Sequence, residues 1–145
     1  MRRLFVSGPL LTAVLAFGLV SAPLHDAGAT TSLSASPHGL HFGAVPVGTS
    51  SDPLQITLTN NTGTLLALGA PGTTDPTDYS LVAGSPDPCG TSLVAGASCE
   101  DGVVFNPQTN GQQPGDFQIA YKVAACNQSP SCWSTLSVGL RGRGT

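Results

Sequence analysis

The chain has 145 residues, of which 40% are hydrophobic and only 9% charged, and its formal net charge is −3. This length leaves room for one domain, the apolar fraction excludes a disordered chain, and the low charge beside 18 Gly and 12 Pro is typical of an exported β-protein. Too few basic residues are present to line a phosphate backbone, so nucleic acid is not an expected partner.

The first thirty residues have the pattern of an export signal. Met1-Arg2-Arg3 forms a short positive start, residues 4–20 are mostly apolar, and Ala27-Gly28-Ala29 offers an A-x-A cleavage site. An uncleaved membrane anchor is the less favoured alternative, because Gly8-Pro9 interrupts an apolar run that is already short. The arginine pair leaves general and twin-arginine export both open.

We therefore predict a signal peptide over 1–29 and a single domain over 30–145, with no stable membrane anchor after cleavage. The product is expected to be secreted, periplasmic or displayed at the cell surface. Without the leader, three basic residues remain against seven acidic ones.

Apolar and polar residues alternate in several short segments, as expected for strands with one buried face. Gly and Pro punctuate the intervals between these segments, which favours turns over helices. About seven short strands are predicted, and two packed sheets would bury their apolar faces. The segments for which the pattern is clearest are 54–59, 65–68, 79–82, 99–105, 117–124 and 136–140.

The four cysteines predict two disulfides, because an even count behind an export signal indicates an oxidising destination. Three pairings are possible. We favour Cys89–Cys99 and Cys126–Cys132, since each pair brackets a short segment with its own turn residues. A four-cysteine zinc site is disfavoured, because spacings of ten and six residues do not supply the usual knuckles.

Several segments of the domain form a recognisable series, namely 40–51, 56–63, 78–79, 89–93, 95–99, 103–107, 111 and 140–144. Together they resemble the abnormal-spindle/hydin-type (ASH, HYDIN-like) immunoglobulin-like domain, in the exported bacterial form called choice-of-anchor D. This resemblance covers about residues 33–144 and implies a seven-stranded sandwich related to major sperm protein and pilus-chaperone domains. It implies a binding or scaffolding module with no family active site.

Two departures from the family pattern stand out. Asp101 occupies a position where the family usually has an aliphatic residue, two residues before Val103 and so on the same strand face. A carboxylate facing the core would need partners, so a bulge or the sheet edge is expected there. The second departure is the cysteine-bounded segment 126–132, where bacterial copies commonly have a plain turn.

This tied loop is the candidate contact site. Asn127, Gln128 and Ser129 would be presented by the loop with Trp133 beside it, as a preorganised surface. In the alternative interpretation, the disulfide only staples the last hairpin and Trp133 packs into the core.

The sequence offers no convincing catalytic, cofactor or metal site. His38 and His41 lie three residues apart without nearby cysteines or carboxylates, which favours two surface imidazoles near an edge strand. We therefore expect a non-enzymatic module that binds a protein or another component of the cell envelope, with edge-strand pairing as the natural mode. The alternative is a secreted inhibitor or small-ligand carrier that uses the 126–132 loop.

Overall fold

The computed structural model describes residues 32–126 and 132–145, which form ten β-strands and no α-helix. The predicted signal peptide over 1–29 lies outside these residues. In chain order the strands are β1 (Leu33–Ser36), β2 (Gly39–Val45), β3 (Leu54–Asn60), β4 (Leu66–Leu68), β5 (Gly72–Thr73), β6 (Tyr79–Ala83), β7 (Ser92–Leu93), β8 (Ser98–Phe105), β9 (Gly111–Val123) and β10 (Ser134–Gly144).

The strands form two sheets. One has four strands in the order β1-β3-β8-β6, and the other has the order β2-β10-β9-β4-β7, with β5 also paired to β9. Every pair is antiparallel except β2 with β10, which is parallel. The all-β, two-sheet prediction is confirmed. Ten strands rather than about seven are present because β4, β5 and β7 are pieces of three residues or fewer.

The core lies between the two sheets, where the alternating apolar residues meet. Ile56 and Leu58 of β3 face inward without measurable exposure, as do Phe117 of β9 and Leu140 of β10. Burial of one such side chain contributes about 1.5–3 kcal/mol. The segments that the alternation predicts as strands are therefore confirmed, and β9 and β10 extend well beyond the predicted ranges.

Three aromatic rings form a cluster in the core near Phe105, the last residue of β8. The ring of Phe42 lies 5.7 Å from those of Tyr79 and Phe105, and these two are 4.9 Å apart. A β-bulge in β2, with Gly43 at φ +70°, follows Phe42. Gly142 of β10 leaves room for this aromatic cluster, because a Cβ there would overlap the Phe105 ring.

The hydroxyl of Tyr79 is hydrogen-bonded inside the fold. It donates to the backbone oxygen of Gln113. Burial raises the pKa of the Tyr79 phenol from 10.0 to about 12, although a backbone hydrogen bond with Gly142 opposes the rise. The phenol thus stays protonated and acts as a fixed donor that ties β6 to β9.

Asn60 organises the turn that follows β3. It is fully buried, and its amide donates to the backbone oxygens of Thr64 and Leu93, both at 2.8 Å. Its Oδ1 accepts hydrogen bonds from the backbone and the hydroxyl of Thr62. The turn at 60–63 is therefore built around one buried amide whose bonds also reach β7.

The expectation for Asp101 is wrong. This residue lies in regular register in a central strand, opposite Ile56 of β3 and Ala83 of β6, with neither a bulge nor a sheet edge. Its side chain is 7% exposed, and Oδ2 has no hydrogen-bond partner. Burial raises the pKa of the Asp101 carboxyl above its ordinary value of 3.8. The pairing on both sides fixes which way the residue faces, so the carboxylate is carried into the core.

Both favoured disulfides are confirmed. Cys99 lies in the core on β8 and is bonded to Cys89, with 4.8 Å between their Cα atoms. Cys126 is bonded to Cys132, with 6.1 Å between their Cα atoms. Closing such short loops removes unfolded-state entropy equivalent to about 2–3 kcal/mol each.

Candidate interaction surfaces

The tied loop begins at Cys126, three residues after the end of β9, and ends at Cys132, two residues before β10 begins. Cys126 is fixed by a hydrogen bond from its backbone nitrogen to the Val123 oxygen, at 2.9 Å. The predicted contact residues Asn127, Gln128 and Ser129 lie outside the described residues. The structure therefore describes the two cysteines that anchor the loop and the residue that follows it, Trp133.

Trp133 is a surface residue. Its side chain is 43% exposed, so the alternative that places it in the core is wrong. The ammonium of Lys122, on the adjacent strand β9, lies 5.1 Å from the ring centroid. Such a cation–π contact contributes about 0.5–1 kcal/mol at an exposed site. It holds the indole against the sheet without covering its outer side.

Two further exposed apolar side chains lie at the same end of the six-stranded sheet. Leu65, just before β4, is 43% exposed, and Val94, just after β7, is 61% exposed. Their neighbours Leu66 and Leu93 are buried and paired with each other, so alternation turns Leu65 and Val94 to the outer face. Ala67 of β4 lies opposite Lys122, which continues the face toward β10.

We call this surface the apolar end and define it by Trp133, Lys122, Leu65 and Val94. It runs across four strands in the order β10, β9, β4 and β7. Single exposed apolar residues are common on proteins, but three of them at one end of a sheet make this surface a candidate for contact with a partner.

The sheet edges are poorly suited to strand addition. β2 is the longest edge strand, but it contains the bulge at Gly43 and is followed directly by Pro46, which has no N–H to donate. The other edge strands, β1, β5, β6 and β7, have only four, two, five and two residues. Short and bulged edges are common means of preventing pairing.

A second surface, which the sequence analysis missed, lies on the outer face at the opposite end of β10. Arg141 is paired with His41 of the parallel strand β2, and Arg143 follows two residues later on the same face. All three side chains are exposed. We call this surface the basic face. The spacing Arg-x-Arg in a strand was a signal for it, but the sequence does not reveal the pairing with β2.

In residues 32–126 and 132–145, no three His, Cys, Asp or Glu side chains are grouped closely enough to hold a metal ion. Within the same ranges, no helix has the length and apolar character needed to span a membrane.

No protein-family model matches the sequence, and no curated protein matches it either. The fold, however, is similar to the ASH/PapD-like domain 7 of human CEP192, at 15% identity and a TM-score of 0.57, over 100% of this chain and 96% of that one. It is also similar to the Escherichia coli chaperone DraB, at 10% identity and a TM-score of 0.53, over 79% of this chain and 55% of that one.

A third similar structure is the Vibrio cholerae protease VesB, at 22% identity and a TM-score of 0.58, over 79% of this chain. The chain spans only 32% of the length of VesB. At these identities the likeness concerns the fold alone. The resemblance to an ASH-like immunoglobulin fold is thereby confirmed, while membership in the bacterial choice-of-anchor D group stays a prediction.

Proposed function

We propose that this protein is an exported, non-catalytic module that binds another protein through its apolar end. The observation that carries the proposal is the exposed indole of Trp133, held by Lys122 beside a disulfide-closed loop. Tryptophan is among the residues that most often dominate binding energy at protein interfaces. A side chain that is already ordered loses little conformational entropy on binding, which favours affinity.

The partner that fits this surface has an apolar recess for the indole and aliphatic contacts for Leu65 and Val94. The distance across β10, β9, β4 and β7 is about 14 Å at the usual strand spacing of about 4.8 Å. A row of outward-facing side chains on a sheet suits a protein surface, whereas small-ligand sites are usually concave clefts. This shape is an argument against the small-ligand carrier.

Export is supported by the leader-like pattern of residues 1–29 and by the two disulfides, which are typical of oxidising compartments. The cell envelope or surface is therefore the compartment in which we expect the partner. The ASH/PapD-like fold adds support for an interaction module rather than an enzyme. The likeness to a protease concerns a part of that protease and assigns no activity to this chain.

The test is a comparison of two variants in binding to envelope proteins of the source organism. Trp133→Ala removes the centre of the apolar end. Val82→Ala removes a side chain that is 38% exposed on the other sheet and serves as the matched control. We expect one protein to be captured by the wild type and by Val82→Ala, and lost with Trp133→Ala. The purified partner should then bind Trp133→Ala at least about tenfold more weakly, as for a typical hot-spot residue.

A second variant separates the module from the inhibitor alternative. Residues 127–131 are replaced by Gly and Ser while both cysteines are kept. If Trp133 carries the interface, binding of the purified partner is retained, whereas a loop that inserts into a cleft would lose it. Equal binding by the wild type and Trp133→Ala, with both variants folded, would refute the proposed interface.

A further inference from the structure

The basic face gathers positive charge in a chain whose net charge is negative. Arg141 and Arg143 are two of only five Lys and Arg residues in the whole sequence, and both lie on the same side of β10. Their Cα atoms are about 7 Å apart, because same-face residues are two positions apart along a strand. His41 lies on the neighbouring strand, opposite Arg141. Three groups that donate hydrogen bonds therefore point outward from one small area.

The surface around these side chains contains open depressions. Three depressions, with volumes of about 350, 450 and 360 Å³, all include Arg141 in their walls. No carboxylate lines any of them, and neither does a Phe, Tyr or Trp. The small residues of the floor and walls leave the guanidinium groups accessible; they are Gly39, Gly43, Ala44, Gly139 and Gly142.

One acidic residue lies near the basic face. Asp116 of β9 is opposite Gly139, in the row next to Arg141, but it is not part of the walls of the three depressions. The residues of β9 that do line them are Gln112, Gln113 and Pro114. The Asp116 carboxylate lowers the positive potential of the basic face without occupying the depressions. Removing its charge should therefore strengthen the binding of an anion.

The arrangement favours a tetrahedral oxyanion ester over a carboxylate. A planar carboxylate is satisfied by a single guanidinium fork, whereas a phosphate ester presents three acceptor oxygens in different directions. Two guanidinium groups and an imidazole on adjacent strands can donate to those oxygens from separate sides. The absence of Phe, Tyr and Trp from the walls means that no platform is offered for stacking a base.

We propose that the basic face binds a phosphate ester, with Arg141, Arg143 and His41 donating hydrogen bonds to its oxygens. The amides of Gln112 and Gln113, at the β9 side of the depressions, can bond hydroxyl groups attached to the ester. A sugar phosphate or a phosphate-linked envelope polymer would supply this chemistry. The site is independent of the apolar end, which lies at the other end of β10.

The test is a ¹⁵N NMR titration of the exported product with glucose 6-phosphate at constant ionic strength, since exposed charges are screened by salt. We expect saturable shifts at the amides of Gly139 and Arg141 and at the guanidinium Nε–H groups, with a Kd of about 1 mM for one exposed ester. Glucose 6-sulfate, with lower charge, should bind several-fold more weakly, and acetate should give no saturable shift.

Three variants test whether the site, and not the overall charge, is responsible. Arg141→Gln combined with Arg143→Gln should weaken binding by about tenfold or more, as expected for loss of charge-assisted hydrogen bonds. Lys122→Gln removes a positive charge at the other end of the same sheet and should leave the Kd within about 1.5-fold. Asp116→Asn should tighten binding.

A polymer of glycerol phosphate distinguishes the two sources of the ester. Tighter binding of the polymer than of glucose 6-phosphate would assign the site to a repeating envelope polymer, and equal binding per ester would assign it to single sugar phosphates. If no probe gives saturable shifts, or if Lys122→Gln weakens binding as much as the arginine variant does, the proposal is overturned.

Discussion

Asp101 gives the sharpest test of the physical account of this fold. Its carboxylate faces the core from β8 at 7% exposure, and Oδ2 has no hydrogen-bond partner. A buried polar atom without a partner costs about 1–3 kcal/mol. We expect Asp101→Val, which puts a β-branched apolar side chain beside Ile56, to raise the free energy of unfolding by about this amount at neutral pH. The melting temperature should rise by roughly 4 °C per kcal/mol.

The gain should depend on pH in a defined direction. Burial raises the pKa of Asp101 above 3.8, so the folded state keeps its proton where the unfolded chain has released it. The carboxylate therefore destabilises the folded state progressively as the pH rises from about 4 through the folded-state pKa. Urea unfolding of the oxidised protein should show the largest gain from valine at about pH 7 and the smallest at or below about pH 4.

A second buried aspartate provides the control with the opposite sign. Asp78 is 6% exposed, but its Oδ1 accepts a hydrogen bond from the Gln108 backbone at 2.8 Å. Asp78→Ala should therefore lower the free energy of unfolding by about 1–3 kcal/mol. If Asp101→Val is destabilising, or if its gain is the same at both pH values, then the carboxylate is satisfied in the fold and the reasoning is refuted.

Three further substitutions test local features of the packing. Gly142→Ala should lower the free energy of unfolding by about 1–3 kcal/mol, because the added Cβ would overlap the aromatic cluster. Gly139→Ala on the same strand is the control: its Cβ would contact nothing, so the melting temperature should not fall. Tyr79→Phe should lower the free energy of unfolding by about 1 kcal/mol, because one hydrogen bond is lost. Between about pH 10 and 12 the unfolded chain releases a proton that the folded phenol keeps, so the wild type should lose stability over this range and Tyr79→Phe should not. Asn60→Ala should lower the free energy of unfolding, measured with urea, by more than about 2 kcal/mol, since four hydrogen bonds are lost.

The strands that could be predicted from the sequence are those in which the local pattern of apolar residues indicates the buried face. In β3 and β9 the apolar residues alternate over several positions, and this pattern decides both the strand and its inner face. β5 and β7 have two residues each, which is too short for any periodic signal. Their pairing depends on where β9 and β4 lie, which is information from elsewhere in the chain.

The difference between local patterns and contacts of distant segments also explains which site features could be predicted. The disulfides followed from short spacings, and the bonded pairs are the favoured ones. Trp133 could not be assigned from its neighbours, because its exposure depends on the register that puts Lys122 beside it. The basic face needs the parallel pairing of β2 with β10, which brings His41 to Arg141 across a separation of a hundred residues. Side chains from distant segments meet only once the topology is known.

The geometry of β10 makes the two proposed surfaces independent. Trp133 lies just before the strand and Arg141 near its end, so eight residues at about 3.4 Å each put them about 27 Å apart. Sites separated by more than about 10 Å without shared partners usually contribute additively. Trp133→Ala should therefore leave the Kd for glucose 6-phosphate within about 1.5-fold of the wild type, and the double arginine variant should still bind the protein partner. Loss of both activities in either variant, with the fold intact, would mean that a single ligand spans the sheet.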